Sequence, residues 1–228
     1  MKLSVIILAA GQGTRMKSAL PKVMHKLAGI PMLEHVYNRS LELGAEDIHI
    51  VYGHGGEHLH DYCSEFDVEW VLQDQQLGTA HAVQQASPHI ADDHIALILY
   101  GDVPLIKSTT LKTLIESVDT DSISLLTVEL EDPYGYGRII RDNGEVVAIV
   151  EHKDATEEQK KITEVNTGIL ALNAGYLNEC LKKIDNRNVQ GEYYLTDVIQ
   201  LAVKDGKKII TSQPDNACLL YTSDAADE

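Results

Sequence analysis

The sequence predicts an α/β fold: a mostly parallel central sheet with helices on both faces and one small β-hairpin excursion. Three observations predict it. Short apolar runs alternate with helical patterns, the order that builds parallel sheets. The run at 95–100 is continuously apolar and that at 3–8 reads as a buried strand, as expected of strands covered on both faces. Asp142-Asn143-Gly144 lies between two strand-like runs, a sequence suited to a two-residue hairpin turn.

Residues 3–8 read as the first strand. Met32, Leu33, Val36, Tyr37 and Leu41 share one helix face, with Pro31 where a helix begins and Gly44 where it ends. Residues 48–52 and 68–72 read as the second and third strands, and 79–85 as a helix. The fourth strand is 95–100, followed by a helix at 111–118 and a fifth strand at 123–128. Right-handed crossovers then align the loops after the strands along one edge, where ligands bind in such sheets. In the second half, 138–141 and 146–150 form the hairpin, 165–172 is a strand, 176–184 and 195–203 are helices, and 207–211 is the last strand. No linker or repeat separates the halves, so the second half is expected to extend the same sheet. Residues 1–213 form one domain, and 214–228 are an unmatched tail.

The chain has 228 residues, with 19 Lys+Arg against 35 Asp+Glu and a formal net charge of −16. Such a surface repels polyanions, so neither nucleic acid nor an anionic membrane is an expected partner. A small anion could bind only where local positive charge or a metal receives it. Cys63, Cys180 and Cys218 are scattered without a CxxC pair, which suits a reducing cytoplasm better than a disulfide scaffold. The apolar start is too short for a signal sequence, and no run approaches the ~20 apolar residues of a membrane helix.

Three segments carry residues suited to chemistry. Leu8-Ala9-Ala10-Gly11-Gln12-Gly13-Thr14-Arg15-Met16 follows the first strand, with Pro21-Lys22 beyond it. Small residues let backbone N–H groups approach a phosphate or base, and Arg15 and Lys22 add cationic charge. A dinucleotide fingerprint wants a third glycine where Met16 stands, and a Walker loop is absent. Leu99-Tyr100-Gly101-Asp102-Val103-Pro104 places Asp102 past an apolar strand, where one carboxylate plus substrate phosphates can hold Mg²⁺; the plainer reading is a turn aspartate. Gln73-Asp74-Gln75-Gln76-Leu77-Gly78-Thr79 opens a helix. There Gln73 can pair a base edge, and Gly78 and Thr79 offer donors at a helix N-terminus; the plainer reading makes Thr79 an ordinary helix-start residue.

Taken together, these residues resemble the sugar-nucleotide pyrophosphorylases, a family of nucleotidyltransferases. The likeness is closest to the uridylyltransferase domains of the bacterial bifunctional enzymes that make UDP-N-acetylglucosamine. It rests on an ordered series of motifs between residues 3 and 213: Leu8-Ala9-Ala10-Gly11-x-Gly13-Thr14-Arg15-Met16, Leu20-Pro21-Lys22-Val23, Gln73-x-x-Gln76-Leu77-Gly78-Thr79, Tyr100-Gly101-Asp102-Val103-Pro104-Leu105, Gly135-Tyr136-Gly137-Arg138, Ile149-Val150-Glu151 and Glu164-x-Asn166-Thr167-Gly168. Tyr52-Gly53-His54-Gly55 and Gln190-Gly191-Glu192-Tyr193-Tyr194-Leu195-Thr196-Asp197 fit as well.

The resemblance implies a Rossmann-like, GT-A-like fold and a reaction. UTP and N-acetylglucosamine-1-phosphate would give UDP-N-acetylglucosamine and pyrophosphate with Mg²⁺, supplying peptidoglycan and lipopolysaccharide precursors. It places Arg15, Lys22 and Asp102 at the reacting phosphates, with Asp102 on the metal. Leu8, Ala9, Ala10, Gly11, Gly13, Gln73, Gly78 and Thr79 would meet the nucleotide. Tyr100, Gly101, Gly137, Glu151, Asn166 and Thr167 would line the sugar side, Thr79 reaching it too. Read physically, a carboxylate such as Glu151 at the end of an apolar strand needs donors, which sugar hydroxyls are. A structural salt bridge is its plainer role. Asn166 brings both a donor and an acceptor, or serves as a strand-bend amide.

The family continues past its last strand into an Asn-Asn pair, whose one Asn is a second protein ligand to Mg²⁺, and then into an acetyltransferase β-helix that carries most trimer contacts. Residues 214–228 do not match that continuation. The sequence therefore leads us to expect no acetyltransferase half, no second ligand and a monomer or weak oligomer. Another sugar-1-phosphate nucleotidyltransferase, or a nucleotide-sugar-binding module without turnover, remains the alternative. His54, His58, His60 and Asp61 are expected to be solvated on a surface helix rather than a zinc site. Glu157, Glu158, Lys160 and Lys161 are expected on an exposed helix face, and Phe66 and Trp70 in the core.

Overall fold

The computed structural model describes residues 2–11, 20–53 and 56–214. Its elements run β1 (Leu3–Leu8), β2 (Lys26–Leu27), β3 (Ile30–Pro31), α1 (Met32–Glu42), β4 (Asp47–Gly53), α2 (Glu57–Tyr62), β5 (Glu69–Gln73), α3 (Thr79–Ala86), β6 (Ile95–Tyr100) and α4 (Ser108–Glu116). There follow β7 (Ser122–Glu129), β8 (Arg138–Asp142), β9 (Glu145–Val150), β10 (Glu164–Asn173), α5 (Ala174–Leu181), α6 (Asp197–Lys204) and β11 (Lys208–Ser212). The main sheet has the order β11-β7-β10-β6-β1-β4-β5, with β8 and β9 attached through β10. All its pairings along that order are parallel except those of β10, which is antiparallel to both β6 and β7. The second half joins the same sheet, as expected.

Side-chain alternation divides the core. From β1, Val5 and Ile7 face α1 and α4 through Leu33, Val36, Leu111 and Leu114. Ile6 and Leu8 face α3, α5 and α6 through Val83, Leu177, Val198 and Ile199. Both faces of the strand are sealed, which is why its sequence is apolar at every position but Ser4, whose hydroxyl lies 2.7 Å from His94 Nδ1. The Asn143-Gly144 turn takes left-handed φ values of 49° and 87°, the geometry that matches strand twist in a hairpin.

Several expectations shift. On α1 the buried row is Met32, Leu33, Val36, Tyr37 and Ser40, while Leu41 turns outward. The row ends at Ser40 because a 3.6-residue period carries position 41 off the buried stripe, and Ser40 satisfies its hydroxyl on the Val36 carbonyl at 3.1 Å. α5 begins two residues earlier than expected because the Asn173 side chain accepts the Tyr176 N–H at 2.9 Å and caps it. The β2–β3 hairpin and the extent of α2 were not read from sequence. His60 corrects the expectation of a solvated histidine: its ring packs 4.6 Å from Trp70 and 4.8 Å from Tyr52. Trp70 and Phe66 are partly buried against the core. Lys160 and Lys161 pair with Glu157 and Glu158 at 2.8 Å on the surface, in a 3₁₀ turn rather than an α-helix. Among the described residues no group of three His, Cys, Asp or Glu could hold a metal, and no helix is long and apolar enough to cross a membrane. His54, Cys218 and the tail from 215 onward lie outside the described residues.

Candidate active site

The C-terminal ends of β5, β4, β1 and β6 share one edge because these strands are parallel. That edge gathers Leu8, Ala9, Ala10, Gly11, Gln73, Tyr100, Gly101 and Asp102. The chain crosses from strand to loop with its backbone paired. The Ala9 N–H donates to Val51 O at 2.8 Å, and the Gly101 N–H donates to Leu8 O at 2.9 Å. Gly101 is small for a reason: a Cβ there would meet Val23 at 3.1 Å and Leu33 at 3.2 Å. The Gln76 amide donates to Ala10 O, tying the loop after β5 to the loop after β1.

Gln73 is buried, and its Nε2 lies 3.1 Å from Gly78 O and 3.1 Å from His81 Nδ1. The amide nitrogen expected to read a base is thus engaged in shaping the loop that Gly78 ends. Gly78 adopts φ +117°, and a Cβ there would sit 2.5 Å from Tyr193 O. Only glycine lets residues 77–80 lie against the 190s, where Tyr193 N–H donates to Leu77 O at 2.8 Å and Ala80 N–H donates to Tyr193 O at 2.9 Å. Thr79 opens α3, and its hydroxyl accepts the Leu195 N–H at 3.1 Å.

Lys22, in the 3₁₀ turn Lys22–Met24, places Nζ 3.2 Å from Asp102 Oδ2 with both side chains mostly sheltered. A cation and a carboxylate that sequence reasoning assigned to the reacting phosphates therefore stand side by side. Arg15 and Gly13 lie outside the described residues.

Beyond Asp102 a cleft of about 270 Å³ opens. Its walls include Thr79, Tyr100, Asp102, Gly137, Glu151, Asn166 and Thr167, so six of the expected sugar-side and phosphate residues meet there with Thr79. Gly168, Leu195, Thr196 and Ile199 line it too. No role was expected of them, although Gly168, Leu195 and Thr196 stand inside the quoted motifs.

The cleft wall on β10 is a bulge. Its register against β7 shifts between Asn166 and Leu170, and bulges re-aim side chains beside functional sites. Local bonds replace the lost ladder. The Gly168 N–H donates to Asn166 Oδ1 at 2.9 Å, and the Thr167 hydroxyl donates to Leu126 O at 2.8 Å. Asn166 N–H donates to Gly137 O at 2.9 Å, joining the bulge to the loop before β8. Arg138, fully buried, holds that loop through donors to Tyr136 O and to Lys160 O at 3.4 Å. Glu164 at the start of β10 accepts two 2.7 Å bonds from Arg141, whose guanidinium holds the carboxyl below its usual range.

Glu151 directly follows β9, with its carboxylate beside Gly137. The Thr196 hydroxyl donates to its Oε1 at 3.0 Å. Burial raises its pKa, against that hydrogen bond, and Asp154, Asp197 and Glu192 push it further up. Burial likewise raises the Tyr100 phenol, with Glu151 and Asp102 adding to it. Among the described residues the site thus presents the Lys22–Asp102 pair and the buried Glu151 carboxylate, which the Thr196 hydroxyl meets.

Residues 5–163 match the model of the MobA-like NTP transferase domain family. Three solved structures share the fold at low identity. A nucleotidyl transferase from Methanothermobacter thermautotroptrophicus is 20% identical over 96% of this chain and 90% of that one, with a TM-score of 0.68. A Bacillus anthracis protein assigned as a glucose-1-phosphate thymidylyltransferase, in complex with sucrose, is 18% identical over 99% and 95%, with a TM-score of 0.75. A UDP-glucose pyrophosphorylase bound to UDP-glucose is 21% identical over 100% and 97%, with a TM-score of 0.78.

Proposed function

The chain belongs to the MobA-like NTP transferase family, and from that premise we propose that it transfers a uridylyl group from UTP to N-acetylglucosamine-1-phosphate. The products are UDP-N-acetylglucosamine and pyrophosphate. The observation that carries the reading is Glu151: a buried carboxylate with the Thr196 hydroxyl as its side-chain donor, facing a cleft that Gly137 leaves open. Sugar hydroxyls are the donors such a group needs.

In this reading a sugar-phosphate oxygen attacks the α-phosphorus of UTP in line, and the bond to the β-phosphate bridge breaks as pyrophosphate leaves. The attacking oxygen is already anionic, so no side chain must first remove a proton. The protein's contribution is position and charge. Lys22 meets the developing negative charge. Ala9, Ala10 and Gly11 present backbone at the nucleotide, and Gln73 acts through the loop it anchors. Asn166 accepts from its own bulge and keeps its amide nitrogen for a ligand carbonyl such as an N-acetyl group.

Asp102 suits Mg²⁺ by the chemistry of its donor set: a hard carboxylate, partly exposed at a strand end, beside the space for substrate phosphates. When bound there the ion would supply charge neutralisation on the phosphates.

A second reading, another sugar-1-phosphate nucleotidyltransferase, is favoured by the neighbours assigned to glucose-1-phosphate and UDP-glucose. The test is pyrophosphate release across UTP, dTTP, CTP and GTP with N-acetylglucosamine-1-phosphate and glucose-1-phosphate in Mg²⁺. Fastest release with UTP and the N-acetylated sugar supports the first reading. Preference for another pair supports the second. Binding of UDP-N-acetylglucosamine without any release would make the chain a binding module.

A further inference from the structure

Between α5 and α6 the chain runs irregularly, yet this stretch supplies Leu195 and Thr196 to the cleft wall. Thr196 donates to Glu151, Leu195 is held by Thr79, and Tyr193 pairs with Leu77 and Ala80. What holds the stretch down is on the far side of Glu151. The Asp154 carboxylate accepts the Val189 N–H at 3.0 Å on Oδ1 and the Tyr194 hydroxyl at 3.1 Å on Oδ2. Gln190 donates to the same Tyr194 oxygen at 2.8 Å. Asp154 belongs to the turn that carries Glu151, since its own N–H donates to Glu151 O at 3.0 Å.

We propose that Asp154 is a positioning residue for the sugar side of the site, latching segment 188–196 onto the Glu151 turn so that Thr196 stays on the Glu151 carboxylate. This rests on the transferase reading for its substrate but not for its geometry. The chemistry favours a durable latch. A carboxylate that accepts one N–H and one O–H makes charge-assisted bonds, stronger than neutral ones. Tyr194 is buried, and burial, with Asp154 acting in the same sense against the Gln190 bond, pushes its phenol up to about 12, so it remains a donor at any working pH. The neighbouring Lys153–Gln190 contact is exposed and adds little. The Asp154 carboxylate bonds to Val189 and Tyr194, not to Thr196 or the Glu151 side chain. It acts by fixing both ends of the Glu151–Thr196 hydrogen bond.

The test compares Asp154→Ala, Asp154→Asn, Tyr194→Phe and the Asp154→Ala/Tyr194→Phe double variant in steady-state kinetics. Asp154→Ala is expected to raise KM for N-acetylglucosamine-1-phosphate about tenfold, the scale of one lost hydrogen bond to a charged group. KM for UTP should move less than about twofold on the same reasoning, since the Tyr193–Ala80 ties remain. Asp154→Asn should recover much of the loss, because an amide oxygen still accepts the Val189 N–H. The double variant should be no worse than Asp154→Ala. Unchanged KM values, equal loss on both substrates, or no rescue by Asn would overturn the proposal. Amide exchange of residues 188–196 in the ligand-free protein separates the two readings. Faster exchange in Asp154→Ala, reversed in Asp154→Asn, supports the latch even if the wild type uses a different sugar; unchanged exchange overturns it whatever the substrate.

Discussion

The ammonium of Lys22 lies 3.2 Å from the Asp102 carboxylate, although the two residues come from a 3₁₀ turn and a strand end eighty positions apart. In the absence of substrate each neutralises the other. On the proposed reading a triphosphate with its cation would give Lys22 an anion and Asp102 a cation, and the pair would part as substrate binds. Asp102→Ala is therefore expected to lower kcat at least about 100-fold and to flatten the Mg²⁺ dependence of pyrophosphate release. Lys22→Ala should lose a similar factor while keeping the Mg²⁺ dependence. A wild-type Mg²⁺ titration in Asp102→Ala would remove this residue from the metal.

If Glu151 meets the sugar as proposed, it trades stability against binding. Its folded-state pKa is raised, burial being the main cause. The folded protein therefore holds this proton more tightly than the unfolded chain. The stabilisation is fully present below the unfolded carboxylate pKa and is lost as pH rises through the raised folded value. Glu151→Gln removes the buried charge. Its Tm should exceed the wild type's at pH 7.5, and the gain should shrink as pH falls toward 4. The same variant should weaken sugar-phosphate binding about tenfold or more, because an amide accepts sugar hydroxyls less strongly than a carboxylate. Thermal melts at several pH values and a KM measurement check both halves.

Gly168 and Gly135 both take left-handed φ, at +82° and +85°, but only one is crowded. A Cβ on Gly168 would sit 2.8 Å from Tyr100 Cζ, whereas nothing lies within 4 Å of one on Gly135. Gly135→Ala should cost about 1 kcal/mol from backbone strain alone. Gly168→Ala should cost about 3 kcal/mol, strain plus overpacking against a half-buried ring. In a Tyr100→Ala background the Gly168→Ala cost should fall to about 1 kcal/mol. Denaturant midpoints read all of these, and equal costs at the two glycines would show that Tyr100 does not confine the bulge.

The sheet and the edge where its parallel strands end were legible because apolar strands and small-residue loops are local signals. The antiparallel insertion of β10 between β6 and β7 was not, since an apolar strand carries no mark of its partners' direction. Within the site, Asp102 and Glu151, each just past a strand, line one cleft with Asn166, which the resemblance had placed there. The engagement of the Gln73 amide by Gly78 and His81 could not be read, because it depends on a loop folding back on itself. Thr196 and Asp154 escaped for the same reason. Their partners lie far along the chain, and nothing in a lone Thr or Asp names them.

The Arg141–Glu164 pair fixes the start of β10 and so the bulge beyond it. Two 2.7 Å bonds join the guanidinium to the carboxylate, which also accepts the Thr127 hydroxyl at 2.8 Å. The Arg141 bonds lower the folded pKa of Glu164 against the opposing effect of burial. The sign is thus opposite to that of Glu151: this stabilisation is present above the unfolded carboxylate pKa and is lost as pH falls through the lowered folded value. Arg141→Met leaves a nearly buried carboxylate without its cation and should cost about 2 kcal/mol at pH 7, discounted because the arginine itself is a third exposed. The deficit relative to wild type should narrow as acid protonates Glu164. Arg141→Met/Glu164→Gln should recover part of it at pH 7. A deficit independent of pH, or a double variant no more stable than Arg141→Met, would mean that the arginine acts through packing of its stem rather than through the ion pair.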